Sequence, residues 1–334
     1  MRVVVTGGTG FLGRHLVWRL AEAGHDVVFC GRDAGKASEV TSRASRPVSF
    51  AALSHGSIGA QETLTRAADG ADAIVHCAAL SSPWGSRADF HASNVRSTEE
   101  VLTAVRANAV ARLVHISTPS VYFQFRDRLG VREDEPLPSP VNDYAATKAE
   151  AERMVRAAHV SAVILRPRGI FGEWDETMLP RLLRLLRRDH FPLFNAGNAL
   201  IELTHVDNVV DAIELSLAVP GAIGETFNVS NGQPRRAADL FGQLARAFDL
   251  PWRPRHVPLA AGLAIASACE WAGRVVRGWE PPITRYSVGT VAYSQTLDLR
   301  RAREQLGYVP RVDLDEGIAR TAAWVRAGLR GSPC

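Results

Sequence analysis

The chain has 334 residues and is poor in lysine and in cysteine. Only Lys36 and Lys148 are lysines among its 39 basic residues. Arginine keeps its proton and cannot act as a compact point charge, so each lysine is a candidate for a role that arginine cannot fill. The four cysteines (Cys30, Cys77, Cys269 and Cys334) form no C-x-x-C pair and no metal-ligand spacing. This spacing predicts no metal site, and Cys30 and Cys77, at the ends of apolar runs, are expected to be buried thiols.

Long apolar runs and a strong charge imbalance are also missing. No stretch of 18 or more apolar residues occurs, so the sequence predicts no membrane span. The net charge of +4 is modest and is expected to be spread along the chain, which argues against a nucleic-acid partner. A strand pattern begins at residue 2 and leaves no room for a signal peptide. These absences predict a cytoplasmic protein and leave a homodimer open as its assembly.

Short apolar runs alternate with helical patterns in the first half of the chain. The runs are 2–6, 26–30, 48–52, 73–77, 112–117 and 162–166. Strands that alternate with helices of this length indicate a parallel sheet with helices on both faces. The sequence therefore predicts an α/β fold: a doubly wound parallel (Rossmann) sheet with a smaller C-terminal substrate lobe.

The alternation of strand and helix patterns ends after Arg166-Pro167, where an arginine-rich helix and clustered prolines follow. We assign residues 1–170 to the sheet domain and residues 171–334 mainly to the substrate lobe. Residues 206–230 carry a further helix and the run TFNVS, and we expect them to return to the sheet.

A glycine-rich turn follows the first predicted strand directly. Its sequence is G-x-x-G-x-x-G, between that strand and the first helix. Glycines there permit a tight turn and a close approach of the backbone to a pyrophosphate, which the N–H groups and the dipole of the helix attract. The pattern predicts a dinucleotide site. The predicted contacts are Gly7, Thr9, Gly10, Phe11, Leu12 and Gly13.

The end of the second predicted strand determines which dinucleotide is favoured. NAD enzymes normally carry there an acidic residue that binds the ribose hydroxyls, but this chain has Cys30. Arg32 follows two residues later, and a guanidinium can pair with a 2′-phosphate through two parallel hydrogen bonds. NADP(H) is therefore the favoured cofactor, while NAD(H), bound through Asp33, stays open.

Tyr144 and Lys148 are four residues apart in a helical pattern, so both side chains lie on one face, one turn apart. A buried ammonium near a phenol favours the phenolate, which makes Tyr144 a usable proton donor or acceptor near neutral pH. Thr118 ends the fifth predicted strand, where its hydroxyl can hold a substrate oxygen. A tyrosine and a lysine four residues apart are common by chance, but together with Thr118 and after a nucleotide-binding turn they are a specific indication of acid/base chemistry.

These motifs resemble the extended short-chain dehydrogenase/reductase (NAD-dependent epimerase/dehydratase) family over essentially the whole chain. The similar segments are TGGTGFLG (6–13), HCAAL (76–80), SNVRST (93–98), STPSVY (117–122), DYAATKAEAE (143–152), LRPRGIFG (165–172), THVDNVVDAI (204–213) and FNVSNGQP (227–234). A third-strand Asp that often contacts adenine in the family has no match in VSFAAL (48–53).

The resemblance implies a role for each matching residue. Tyr144 would be the acid/base, Lys148 its partner and a ribose ligand, and Thr118 the holder of the substrate oxygen, with Ser117 as the alternative. The further cofactor contacts that it implies are Ala78, Ala79 and Pro167.

Within the family, STPSVYF, SSPWG (81–85) and residues 284–308 are most similar to 3β-hydroxysteroid dehydrogenases and 2-alkyl-3-oxoalkanoate reductases. The similarity implies an NAD(P)-dependent oxidoreductase that transfers hydride between nicotinamide and a secondary alcohol or ketone on a largely apolar substrate. A nucleotide-sugar epimerase or dehydratase is the alternative. A non-catalytic, cofactor-sensing regulator is more remote, because such proteins usually lose the tyrosine or the lysine.

Two helical segments of the second half bear on the substrate. Residues 258–272 are almost uncharged, and we expect them to be buried in the small lobe; lining the substrate entrance and touching a membrane are the alternatives. Arginines recur at helical spacing over 181–188, which is typical of a solvated face.

Three polar residues lie inside or beside the predicted sheet. His76 and His115 occur in apolar strands, and we expect hydrogen-bonded core side chains rather than ligands. Asn94 is predicted to begin or cap its helix, or to order the site.

Overall fold

The computed structural model describes residues 1–188, 190–276 and 278–331, so Cys334 and the end of the predicted lobe lie outside the described residues. The strands, in chain order, are β1 (Arg2–Thr6), β2 (Asp26–Gly31), β3 (Ser49–Ala52), β4 (Ala73–His76), β5 (Arg112–Ile116), β6 (Arg128–Val131), β7 (Ala162–Pro167), β8 (Ile170–Phe171), β9 (Phe191–Leu193), β10 (Leu200–Ile201), β11 (Thr204–His205), β12 (Thr226–Val229), β13 (Arg235–Arg236), β14 (Pro254–His256) and β15 (Gln295–Leu297).

The helices lie between these strands and after them. They are α1 (Phe11–Glu22), α2 (Ala34–Arg43), α3 (Ala60–Ala67), α4 (Arg87–Phe90), α5 (Ser97–Ala107), α6 (Asp143–Ala157), α7 (Met178–Leu186), α8 (Val206–Ala218), α9 (Ala237–Ala247), α10 (Leu259–Val275), α11 (Arg285–Ala292), α12 (Arg300–Leu306) and α13 (Leu314–Gly331). A π-helical segment, His91–Arg96, joins α4 to α5, and a 3₁₀ turn, Pro119–Tyr122, follows β5.

Seven strands form one parallel sheet in the order β12-β7-β5-β4-β1-β2-β3. The strand order reverses between β1 and β4, and ligands of such sheets bind in the crevice at the carboxyl ends of the strands at this reversal. The predicted doubly wound Rossmann sheet is confirmed.

Helices cover both faces of the sheet, which is why its strands are apolar almost throughout. Successive side chains of a strand point to opposite faces. Val3 and Val5 accordingly pack in one cluster with Leu16 of α1 and Ile213 of α8. Val4 packs in the other cluster, which contains residues of α3 and α5.

The second half of the chain contributes to the sheet and also builds its own core. β12 pairs with β7 at the edge of the sheet. Helices α7, α9 and α13 enclose a separate apolar cluster that includes Phe191, Leu240 and Ile318. The division into residues 1–170 with a return at 206–230, and a lobe over 171–334, stays a proposal.

The apolar helix of the small lobe is not buried, contrary to our expectation. In α10 only Gly262 and Ala266 are buried, whereas Ile265 and Trp271 are 57% and 69% exposed. The inner face packs through small residues, since a Cβ on Gly262 would lie 2.3 Å from Phe194. Within the described ranges, no helix combines the length and the apolarity needed to cross a membrane.

Candidate active site

The glycine turn lies at the carboxyl end of β1, beside the strand reversal. Gly7 has a φ of +69°, and a Cβ on it would lie 2.7 Å from the backbone nitrogen of Ala78. A Cβ on Gly13 would lie 2.1 Å from the carbonyl oxygen of Gly7. Gly10 begins α1 without any side-chain cap. The first N–H groups of α1 are therefore left to a ligand, and this cradle fits the pyrophosphate of a dinucleotide.

The carboxyl end of β2 is where the sequence predicts the adenosine ribose of the dinucleotide. A Cβ on Gly31 would lie 2.4 Å from the hydroxyl oxygen of Thr9, so no carboxylate side chain can stand at this position. The Asp33 side chain caps α2 by accepting a hydrogen bond from the backbone N–H of Lys36 (3.0 Å). Arg32 is exposed, and no ion pair joins it to another described residue.

Helix α6 carries the tyrosine and the lysine one turn apart. Asn142 caps its N-terminus, and its side-chain oxygen accepts the N–H of Ala145 at 2.8 Å. Tyr144 is half-buried, and the Ser81 hydroxyl lies 3.5 Å from its phenol oxygen. Lys148 is only 2% exposed and donates to the carbonyl oxygen of Ile116 at 2.6 Å. Burial lowers the pKa of Lys148 from its ordinary value of 10.5 to about 8, although the Glu152 charge opposes this shift.

The two candidate hydroxyls after β5 have different partners. Ser117 donates to a carboxylate oxygen of Glu152 at 2.5 Å, so its hydroxyl is already engaged in the interior. Thr118 accepts the N–H of Ser120 at 3.2 Å, and its hydroxyl lies 3.0 Å from the Ser120 hydroxyl. Thr118 is the better candidate for the substrate oxygen, and Ser117 has a structural role instead.

Asn94 orders the loop that faces the turn. Its side-chain oxygen accepts the N–H of Leu80 at 2.8 Å, and its amide donates to the Thr147 hydroxyl at 3.0 Å. It thereby joins the loop of Ala78 and Ala79 to α6. Asn94 lies within the π-helical segment, an irregularity that is frequent at functional sites.

Four residues near the site were not identified from the sequence. The Ser120 hydroxyl lies 2.5 Å from the phenol oxygen of Tyr286, which α11 brings in from the small lobe. Arg168 is buried and donates to Gln295 at 2.5 Å. Ser81 is the fourth. All four lie in segments that resemble the family (STPSVY, SSPWG, LRPRGIFG and residues 284–308), which was their sequence signal. Their contacts could not be predicted from it, because the partners Tyr286 and Gln295 are distant in the chain.

A buried ion pair supports the carboxyl end of β5 and α6. Arg166 and Glu152 are each 1% exposed, with a hydrogen bond of 2.8 Å from Arg166 Nε. Burial raises the pKa of Glu152, but the hydrogen bonds and charge of Arg166 outweigh it and hold this pKa below its usual range. Pro167 is buried beside Arg166 and pairs with Val229.

The buried histidines differ in their partners. His76 lies 2.7 Å from the Thr6 hydroxyl, as expected of a satisfied core histidine. Both ring nitrogens of His115 lack a hydrogen-bond partner among the described residues, contrary to our expectation. Burial, and then the charge of Lys148, holds the pKa of His115 well below its usual range. Lys148 is therefore the cation in this part of the interior.

The two thiols and the arginine-rich helix largely follow the sequence analysis. Burial raises the pKa values of Cys30 and Cys77 to about 12, although Cys77 is only half-buried. Arg184 of α7 is exposed, as are Arg187 and Arg188, which follow the end of the helix. Arg181 is half-buried and pairs with Glu280 at 2.8 Å. Among the described residues, no group of three potential metal ligands occurs.

Taken together, these elements can perform acid/base chemistry on an oxygen. The half-buried phenol of Tyr144 lies one helical turn from the buried ammonium of Lys148, and the Thr118 hydroxyl follows the end of β5. The dinucleotide cradle lies at the same edge of the sheet. Proton transfer at the tyrosine and hydride transfer at a bound nicotinamide would therefore act on one substrate carbon–oxygen bond.

Known proteins that are similar to this chain include a family model and curated relatives. Residues 3–230 match the model of the "NAD dependent epimerase/dehydratase family". The 2-alkyl-3-oxoalkanoate reductase of Stenotrophomonas maltophilia (strain K279a) is 33% identical, over 97% of this chain and 99% of the relative. The decarboxylating sterol-4-alpha-carboxylate 3-dehydrogenase of Saccharomyces cerevisiae (strain ATCC 204508 / S288c) is 31% identical, over 98% of each.

Solved structures share the fold. The dTDP-glucose 4,6-dehydratase of Streptomyces venezuelae, solved with NAD bound, superposes with a TM-score of 0.75 at 27% identity, over 98% of this chain and 97% of that one.

Proposed function

The chain belongs to the NAD dependent epimerase/dehydratase family, and we propose that it transfers hydride between nicotinamide and a secondary alcohol or ketone of a largely apolar substrate. The substrate type is a 3β-hydroxysteroid or a β-keto/β-hydroxy acid. The observation that carries the proposal is the half-buried Tyr144 one turn from the fully buried Lys148, at the same sheet edge as the glycine cradle.

In this proposal the site residues either contact the substrate oxygen or position the residues that do. Tyr144 gives its phenolic proton to the oxygen during reduction and takes it back during oxidation. Lys148 stabilises the phenolate by its charge and is the ribose ligand. Thr118 holds the oxygen once its hydroxyl, which donates to the Ser120 hydroxyl in the structure, turns to the substrate. The N–H of Ser120 and, through the Ser120 hydroxyl, Tyr286 keep the Thr118 side chain in place. The nicotinamide supplies or accepts the hydride. The cofactor contacts are Gly7, Thr9, Gly10, Phe11, Leu12, Gly13, Arg32, Ala78, Ala79, Tyr144, Lys148 and Pro167.

Two observations support an apolar substrate. Both named relatives, by their names, act on an alkyl-substituted oxoacid or on a sterol carboxylate. A sugar diphosphate would have to compete with Glu280 for Arg181, which lies 3.5 Å from the Ser82 hydroxyl but is already paired with that carboxylate. The other arginines of this stretch, Arg184, Arg187 and Arg188, are exposed. The 27% identity to a dTDP-glucose dehydratase keeps the epimerase/dehydratase activity as a second candidate. A non-catalytic regulator is disfavoured because Tyr144 and Lys148 are both present.

The cofactor that we propose is NADP(H), with NAD(H) as the alternative. Support comes from Gly31, which excludes a carboxylate, and from Asp33, whose carboxylate already caps α2. The exposed guanidinium of Arg32 is then the group at this strand end that can bind a 2′-phosphate. We further propose a cytoplasmic location and a homodimer.

An activity screen tests the substrate proposal. The purified protein is given NADPH or NADH with ketosteroids, β-keto acids of increasing chain length and nucleotide sugars, and the oxidation of the reduced cofactor is followed. The value of kcat/KM should rise with chain length, because each buried CH₂ contributes about 0.8 kcal/mol, or roughly fourfold. Tyr144→Phe is the control, with turnover lower by about 10² to 10⁴ and cofactor binding retained. Turnover of nucleotide sugars alone, or copurification of NAD(H), would instead establish the second candidate.

A binding comparison tests the cofactor proposal. The wild type should bind NADP more tightly than NAD, and Arg32→Ala should weaken NADP binding while it leaves NAD binding unchanged. Arg66→Ala is the matched control, because it removes an exposed arginine from the last turn of α3. Tighter binding of NAD to the wild type would refute the proposal and make Asp33 the ribose ligand.

A further inference from the structure

Helix α10 presents an apolar face to solvent. Seven apolar positions on one side of the helix are exposed: Ala260, Ala261, Ala264, Ile265, Ala268, Trp271 and Val275. We call these seven positions the outer face. Ala272, on the same side, is half-buried, and the exposed Ser267 lies at the edge. The opposite side, with Gly262 and Ala266, packs on Phe194, Val288 and Ala292. A helix that is apolar on every side is normally buried on every side, and contiguous exposed apolar patches mark binding surfaces.

The sequence around the outer face is rich in arginine. Residues 251–288 contain five arginines (253, 255, 274, 277 and 285) and two glutamates (270 and 280), a net charge of +3. Glu280 pairs with Arg181, which lies outside this segment, and a carboxylate oxygen of Glu270 accepts the backbone N–H of Arg285 at 2.7 Å.

One arginine stands at the edge of the outer face, and two more precede the helix in the chain. Arg274 is exposed and follows Trp271 by three residues on the same helix. Arg253 and Arg255 are exposed in the segment that leads into α10. Trp279 is exposed just beyond its end. An apolar helical face with basic residues and tryptophans at its border is typical of helices that lie in the headgroup region of a membrane.

The inner side of α10 adjoins the entrance of the proposed active site. A Cβ on Gly273 would lie 2.8 Å from the Trp84 ring. Trp84 is three residues from Ser81, whose hydroxyl lies 3.5 Å from Tyr144. The outer face is therefore one helix thickness away from a loop that contacts the reacting tyrosine.

We propose that the outer face of α10 docks on the surface of a bilayer that contains anionic lipids, with the helix lying in the headgroup plane. The apolar side chains enter the acyl boundary, and the arginines bind the lipid phosphates. Salt must weaken the docking, since part of it is electrostatic. The delivery of an apolar substrate from this surface to the cleft rests on the proposed function, whereas the docking itself does not.

Vesicle co-sedimentation of the full chain tests the docking. Vesicles of phosphatidylcholine alone are compared with vesicles of phosphatidylcholine and phosphatidylglycerol, at low and at high salt. The wild type should sediment with the anionic vesicles and much less with the neutral ones. The double variant Ile265→Glu/Trp271→Glu should lower the bound fraction at least tenfold, because it places two carboxylates in the acyl boundary.

The matched control is Ile58→Glu/Val309→Glu, which adds the same charge at two other exposed apolar positions. It should keep at least half of the wild-type binding. Equal losses in both double variants, or a wild type that does not bind anionic vesicles, would overturn the proposal. A wild-type dimer that only the α10 variant converts to a monomer, with no vesicle binding, would assign the outer face to a second copy of the chain.

An activity measurement distinguishes a failure of the docking proposal from a failure of the proposed function. The α10 double variant should retain wild-type kcat/KM on a short, water-soluble β-keto acid and lose it on a long-chain substrate that is offered in anionic vesicles. Absence of turnover by the wild type on both substrates would contradict the proposed function and leave the vesicle result standing. Equal turnover of the vesicle substrate by both proteins would refute the delivery of substrate from the membrane.

Discussion

Helices α6 and α10 reverse the usual relation between polarity and burial. Helix α6 carries six charged residues in fifteen, yet its Lys148 and Glu152 are almost completely buried. Helix α10 carries two charged residues in seventeen, yet its Ile265 and Trp271 are mostly exposed.

Each reversal costs free energy, because a buried charge loses its hydration and an exposed apolar side chain remains in water. The cost in α6 is offset inside the chain, where Arg166 pairs with Glu152 and a backbone carbonyl accepts from Lys148. The cost in α10 is not offset within the described part of the chain. The difference is consistent with the two proposals above: the buried charges of α6 have their partners within the chain, whereas the proposed partner of α10 is a bilayer.

The largest effect is expected when the buried charge of α6 is removed. Lys148→Met keeps the length of the side chain and abolishes its charge, so kcat/KM should fall by about 10² to 10⁴. Lys36→Met is the matched control, since Lys36 is the other lysine and lies on the surface, paired with Glu176. Steady-state kinetics at saturating cofactor measures both. Near-normal turnover of Lys148→Met would show that Lys148 takes no part in catalysis.

The next effect concerns the ion pair that supports α6. Glu152→Gln leaves the Arg166 charge buried without its partner, which should lower the free energy of unfolding by about 3–5 kcal/mol. Glu150→Gln, on the same helix, should change it by less than about 0.5 kcal/mol. Urea unfolding of both variants measures the difference. Equal, small changes would show that the pair contributes little.

The pH dependence of stability gives a smaller effect with a defined sign. The pKa of Lys148 is about 8 in the folded chain and 10.5 ordinarily, so between these values the unfolded chain binds more protons. Unfolding free energy therefore rises with pH in this window, by at most about 3 kcal/mol. Unfolding of the wild type and of Lys148→Met, without added nucleotide, is compared from pH 7.5 to about 10.5. A gap between them that does not depend on pH would contradict this origin.

The smallest change in stability is expected when an exposed side chain of α10 is truncated. Ile265→Ala removes a side chain that is already in water, so the free energy of unfolding should change by less than about 0.5 kcal/mol. Ile213→Ala, which removes a fully buried side chain of α8, should cost about 2–5 kcal/mol. Thermal or urea unfolding compares the two. A large loss for Ile265→Ala would mean that the outer face is covered in solution.

Much of the fold and part of the site could be predicted locally. The strand of each βα unit, the glycine turn and the spacing of Tyr144 and Lys148 are properties of short segments, and the structure has them at one edge of the sheet. Ser120 and Tyr286 illustrate the limit. They are 166 residues apart and meet at 2.5 Å, and no feature of either segment indicates the other.

By itself, the sequence determined the order of strands and helices, the family and the residues that can exchange a proton, because these depend on short-range periodicity and on motifs. The tertiary structure alone decided which of two neighbouring hydroxyls bonds to a buried carboxylate, since Glu152 and Ser117 meet only after β5 and α6 pack together. It also decided that α10 lies at the surface. Hydrophobicity sets how strongly a side chain avoids water, but the packing of the other elements decides whether anything covers it.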